Sequence, residues 1–183
     1  ANGVRAFTPA MLEAAARDPG WRGHIVNTAS MAGLLATPNM GLYNATKHAV
    51  VGFTETLYHD LGLVTTQVRA HLLCPYFVPT GIDRSERNRP AELAEASAPT
   101  RSQRIAQAMT ERAVAAGRVS AAQVAAAVFD AIDADRFYIF SHPHGLAPVQ
   151  ARFEDLVLGR NPSDPFKDRP ALGAELRAAL RGG

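Results

Sequence analysis

The chain has 183 residues, 47% of them hydrophobic and 20% charged, with 19 Lys and Arg against 17 Asp and Glu for a formal charge of +2. That length suits one ordinary domain, and the small charge gives no support to a nucleic-acid partner, which needs a concentrated basic face. A single cysteine excludes an intrachain disulfide framework, no apolar run reaches the ~18 residues of a membrane span, and no signal peptide opens the chain, so a soluble cytoplasmic protein is the expectation.

Val4, Phe7, Met11, Leu12 and Ala15 recur at helical spacing, so the first sixteen residues read as the later part of a helix. Asn2 reads as a helix residue or frayed terminus. Asp18, Pro19 and Gly20 form a turn. His24 to Ala29 then runs as a buried strand and delivers Ser30 at its C-terminal end, where open parallel sheets bind ligands. Ser30 either takes part in chemistry or only satisfies a loop backbone group. The loop from Met31 to Met40 carries Leu34, Leu35 and Met40, each a candidate for pocket lining or for core. Asn39 or a neighbour caps the next helix, which runs from about Gly41 to Leu63. Leu42, Ala49, Phe53, Leu57 and Leu61 form its expected packing stripe, and Tyr43, Lys47 and Val50 lie on an adjoining face. Gly52, with Ala45 and Ala49 nearby, suggests close approach of another element.

Tyr43 and Lys47 stand four apart and share that face. A free phenol titrates near about 10 and is a poor acid or base at neutral pH. A cation about 4 Å away at an effective dielectric of 20 is worth about 4 kcal/mol, the equivalent of about three pKa units. Lys47 alone therefore has the right magnitude to make Tyr43 useful, and Ser30 would hydrogen-bond the oxygen that Tyr43 protonates or deprotonates. Gln67 to Cys74 reads as a second strand ending at Pro75, with Cys74 a small buried hydrophobe. Thr80 lies beyond it, before Gly81.

These residues resemble the short-chain dehydrogenase/reductase family, whose catalytic centre is a Ser, a Tyr thirteen residues on and a Lys four further; here they are Ser30, Tyr43 and Lys47. The run Cys74, Pro75, Tyr76, Phe77, Val78, Pro79, Thr80 is similar to the family's strand-end loop beside the nicotinamide, with Tyr76 where Gly is usual. The resemblance implies a Rossmann-like doubly wound α/β parallel sheet, of which this chain is the C-terminal portion, with three strands and flanking helices. It implies NAD or NADP as cofactor, with contacts from Thr28, Tyr43, Lys47, Pro75, Tyr76, Val78 and Thr80, and a small-molecule alcohol or carbonyl as substrate. Tyr43 would exchange the proton, Lys47 would steady the phenolate and bind the ribose, and Ser30 would position the reacting oxygen. In the family a nucleotide-binding half with a glycine-rich phosphate turn and a catalytic Asn precedes this point. The resemblance therefore also implies that this chain by itself is inactive and that the longer protein is a homodimer or homotetramer. An epimerase or dehydratase using the same Tyr and Lys, or a silent truncated interaction module, are the alternatives.

Residues 83–118, opening with Arg84, Glu86, Arg87, Arg89 and Pro90, read as a substrate lid. Arg101 to Ala116 and Ser120 to Asp133 are expected helices, the second capped by Ser120 with Val124, Val128 and Ile132 on one face. Phe137 to Ser141 is a third short strand. His142 and His144 without a further ligand make no metal site, and none is expected. Residues 144–183 form a C-terminal extension with helices at Ala147 to Leu158 and Ala171 to Leu180.

Overall fold

The computed structural model describes residues 1–93 and 98–181, so residues 94–97 of the expected lid lie outside the described part. The elements follow in the order α1 (Asn2–Arg17), β1 (Gly23–Thr28), α2 (Gly41–Val64), β2 (Val68–Cys74), α3 (Arg101–Ala115), α4 (Ala121–Asp133), β3 (Tyr138–Phe140), α5 (Ala147–Val157) and α6 (Pro170–Arg181), with short 3-10 turns at Met31–Gly33, Ile82–Asn88, Ala91–Leu93 and Pro143–Gly145. The three strands form one parallel sheet in the order β1-β2-β3. A parallel sheet needs crossovers that cover its faces, and the sequence supplies them. Central β2 reads Val-Arg-Ala-His-Leu-Leu-Cys and is buried at every position but the half-buried Arg69.

Ile25, Ala70, Leu72 and Cys74 face α1 and α2, in clusters that include Ala15, Leu61, Val51 and Leu34. Val26, Leu73 and Ile139 face α4, against Ala131, Val124, Ala127 and Val128. Helices therefore cover both faces, as a doubly wound sheet requires. Ser120 caps α4 through a reciprocal box with Gln123, and Thr100 does the same for α3 with Gln103. Among the described residues no helix is long and apolar enough to cross a membrane.

Helix α2 packs through only the C-terminal part of the stripe that its apolar residues draw, where Leu57 and Leu61 join the core. Leu42 is 88% exposed and Phe53 40%, whereas Asn44, Val51, Thr54 and Leu61 are buried. Two polar residues take core positions because each has a backbone carbonyl to bond: Thr54 Oγ1 donates to Val50 O at 2.7 Å and accepts from Asn27 Nδ2 at 3.1 Å, and Asn44 Nδ2 donates to Thr37 O. A Cβ on Gly52 would meet nothing within 4 Å among the described residues. Met40, not Asn39, occupies the N-cap position, without a side-chain bond; Asn39 instead takes a left-handed turn conformation at φ 61.

Two histidines cross the β1–β2 pair. His71, 1% exposed, donates from Nδ1 to Arg136 O at 2.8 Å, which leaves its Nε2 to accept from His24 Nδ1 at 3.0 Å. Burial first, and then His71, hold the pKa of His24 below the usual imidazole value; Arg69 adds to this, while Asp135 and Asp133 oppose it. Unfolded His24 takes a proton near about pH 6.5 and folded His24 resists it, so the folded chain binds fewer protons and loses stability as pH falls through that value. The urea midpoint should therefore drop between pH 7 and 5, and His24→Gln should flatten that limb; an unchanged slope in the variant would assign the acid sensitivity elsewhere.

Candidate active site

The site lies at the C-terminal end of the sheet, and the pairing of β1 with β2 builds it. Beyond the strand ends the two chains stay joined, with Ala29 N donating to Leu73 O at 2.8 Å and Met31 N to Pro75 O at 2.9 Å. This holds the Ser30 turn beside the Pro75 loop. Ser30 itself is half-buried and extended; its Oγ accepts from Ala32 N at 3.1 Å, capping the 3-10 turn, and reaches toward Pro75 O at 3.5 Å. Its hydroxyl hydrogen is thus only loosely committed, and the turn cap that was the alternative reading of this serine is formed as well.

Gly33 lets that turn nest on α2, since a Cβ there would come within 2.7 Å of Lys47 O and of Val51 Cγ2. Lys47 is the hinge of the arrangement: its Nζ donates to Thr28 O at 3.3 Å and lies 5.7 Å from the Tyr43 ring centroid. Such a cation–π contact is worth about 0.5–1 kcal/mol at an exposed site. Tyr43 is 39% exposed, and among the described residues its hydroxyl has no hydrogen-bond partner, which leaves it able to bond a ligand. Thr28, the last residue of β1, is exposed. The structure thus gathers Thr28, Ser30, Tyr43 and Lys47 at one strand end, with Pro75 alongside.

The rest of the second loop is fixed by residues that sequence reasoning did not single out. Tyr76 N donates to the buried Ser141 Oγ at 2.9 Å, and Ser141 Oγ in turn contacts His142 Nδ1 at 2.8 Å. The Tyr76 ring, 42% exposed, sits edge-on to Phe77 and His142. Gly117 closes on the other side, where a Cβ would lie 2.7 Å from Phe77 O. Val78 is buried, and exposed Thr80 accepts Ile82 N at its Oγ1 at 3.3 Å. Below the loop, burial raises the Cys74 thiol to about 11, so it is an inert core residue. Leu34 is likewise core, 7% exposed, while Leu35 and Met40 are half-buried. Arg152 of α5 reaches Leu34 O at 3.4 Å, bringing the C-terminal extension against the Ser30 turn. The sequence signal for Ser141 was only its place at a strand's C-terminal end; Asn44 and Gly117 carried none.

A parallel sheet covered by helices on both faces, with a serine, a tyrosine and a lysine at its C-terminal end, defines an α/β protein of the dinucleotide-binding class. Residues 1–91 match the family model described as short chain dehydrogenase. The CLA biosynthesis dehydrogenase/reductase of Lactiplantibacillus plantarum is 33% identical over 147 residues, covering 79% of this chain and 51% of the relative. Retinol dehydrogenase 10 of Homo sapiens is 42% identical over 87 residues, 47% of this chain and 24% of that one. A solved short chain dehydrogenase/reductase from Burkholderia phymatum, in complex with NAD, is 53% identical with a TM-score of 0.84 over 89% of this chain and 56% of its own. A putative short-chain dehydrogenase from Novosphingobium aromaticivorans is 28% identical with a TM-score of 0.56, over 98% of this chain and 56% of its own. The chain belongs to the short-chain dehydrogenase/reductase family and spans about half the length of these relatives or less.

Ser141→Ala should leave the part-buried Tyr76 N–H without its acceptor, at a cost of about 1 kcal/mol. Chemical denaturation reads that loss, and a variant as stable as the parent would mean that the loop holds its course without Ser141.

Proposed function

We propose that the protein acts as an NAD- or NADP-dependent oxidoreductase that interconverts a small-molecule alcohol and its carbonyl, with Tyr43 as the acid/base. The observation that carries this reading is the position of Lys47: one ammonium bridges the Thr28 carbonyl and the Tyr43 ring at the strand end where Ser30 also lies. The residues present fit the nicotinamide end of the cofactor. Lys47 has three donors and spends one on Thr28 O, Thr80 keeps its own hydroxyl hydrogen while accepting from Ile82, and the Tyr43 hydroxyl is free. Residues 1–183 contain no glycine-rich phosphate turn of the G-x-G-x-x-G kind, so the phosphate and adenosine ends need residues outside this sequence, and this chain alone is inactive in our reading.

Bound here, the cofactor supplies the hydride acceptor or donor. In the oxidation direction Tyr43, as phenolate, takes the alcohol proton as the carbinol C–H bond breaks and its electron pair leaves as hydride. In reduction the phenol returns that proton to the carbonyl oxygen. Lys47 sets its ammonium beside the Tyr43 ring and offers hydrogen bonds to a ribose. Ser30 donates to the substrate oxygen once its long contact with Pro75 O is given up. Thr28, Pro75, Tyr76, Val78 and Thr80 line the nicotinamide side. The NAD complex of the 53% identical B. phymatum protein and the dehydrogenase names of the other relatives support this assignment.

In the same reading residues 83–93 and 98–118 cover the substrate, and Arg152 of α5 backs the Ser30 turn. The subunit pairs with its copies through α1 and the outer face of α2, where Phe7, Leu42 and Phe53 are exposed beside Ala45, Ala49 and Gly52. A cytoplasmic location agrees with the single buried, unreactive Cys74.

Tyr43→Phe keeps the ring and removes the transferable proton. In the longest natural form of the protein it should lower kcat by about 10²-fold or more while cofactor affinity, followed by nicotinamide fluorescence, stays within about threefold. Turnover close to the parent's would remove Tyr43 as the acid/base.

A further inference from the structure

The loop between the Ser30 turn and α2 is held by contacts that the proton chemistry does not use. Asn44, the residue after Tyr43, is 8% exposed. Its Nδ2 donates to Thr37 O at 2.8 Å, its backbone N donates to Met40 O at 2.7 Å, and its carbonyl accepts from His48 Nδ1 at 2.9 Å. Between the two anchored carbonyls the chain turns through Pro38 and Asn39, and Asn39 takes the left-handed conformation that asparagine tolerates better than most side chains. The second polar atom of Asn44, Oδ1, is buried with no donor among the described residues.

A buried amide oxygen left unpaired is a cost to folding that an apolar residue of similar volume would not carry. Stability is therefore a poor explanation for an asparagine at this site. What it provides, and leucine or aspartate cannot, is the donor that ties Thr37 to the first turn of the helix bearing Tyr43. We infer that Asn44 is a positioning residue: it locks the Thr37–Met40 loop onto α2 and thereby fixes the wall of the substrate crevice beside Tyr43. The Tyr43 hydroxyl is itself unrestrained by any hydrogen bond among the described residues, so where a substrate oxygen can sit depends on the walls around it. The loop leads directly into the helix turn that bears Tyr43, and the Asn44 amide is the side-chain donor that ties it there. The functional half of this inference rests on the oxidoreductase reading; the structural half does not.

The test compares Asn44→Leu and Asn44→Asp with the parent in the longest natural form. Leucine fills the space and removes the orphan oxygen; aspartate keeps the shape and removes the donor, so a folding failure of one leaves the other to decide. Backbone order parameters at Asn39 and Met40, read by nitrogen-15 relaxation, should fall from the rigid range, about 0.85, to below about 0.6 in both, while the melting temperature of Asn44→Leu is held or rises. KM for the carbonyl substrate should rise about tenfold with kcat changed less than about threefold. Unchanged order parameters at Asn39 and Met40 overturn the inference whatever the kinetics. Lowered order parameters with unchanged KM overturn its functional half. Absence of hydride transfer in the parent protein would count against the oxidoreductase reading, while the relaxation data still decide the loop lock.

Discussion

The parallel register of β1 on β2 runs from Gly23 opposite Val68 to Thr28 opposite Leu73, and backbone bonds continue it past both strands to Met31 and Pro75. A parallel pair brings the C-terminal ends of its strands to the same edge. Thr28, Ser30 and Pro75 are neighbours for that reason alone, although more than forty residues separate the two segments in the chain. Helix α2 then crosses back over the sheet, and Gly33 allows it close enough for Lys47 to reach the Thr28 carbonyl. Shifting this register would leave the helix in place but separate the lysine from the strand end that aims it.

The polar groups at the site are aimed by ordinary backbone needs. Ser30 caps a turn, Lys47 satisfies a terminal carbonyl of β1, and Ser141 satisfies the Tyr76 N–H. Such bonds contribute about 0.5–1.5 kcal/mol each to stability, and they also remove rotameric freedom from side chains that chemistry requires in one place. Tyr43 is different. Its hydroxyl has no such partner among the described residues, and its surroundings are set by the loop before it and the ammonium behind it.

The fold class, the strand ends and the four-residue spacing that puts Tyr43 and Lys47 side by side on α2 were legible in the sequence because period, spacing and turn residues are local signals. The packing face of α2 was legible only toward its C-terminal end, at Leu57 and Leu61. Leu42 and Phe53 are apolar yet exposed, and Asn44 and Thr54 are polar yet buried, since each of the latter finds a partner that only the folded chain provides. Ser141 and Gly117 escaped notice for a related reason: their importance lies in what they touch, the Pro75 to Thr80 loop, at 65 residues' distance for Ser141. Tyr76, which departs from the family's usual glycine, is accommodated with its ring turned toward Phe77 and His142.

The central claim is that this strand end moves a hydride, with Tyr43 handling only the proton. The most direct measurement incubates the longest natural form with oxidised cofactor and a panel of alcohols deuterated at the carbinol carbon, and weighs the reduced cofactor by mass spectrometry. One deuterium per turnover in the reduced cofactor is the predicted result. Product formed with the deuterium lost to water, and none in the cofactor, would contradict it.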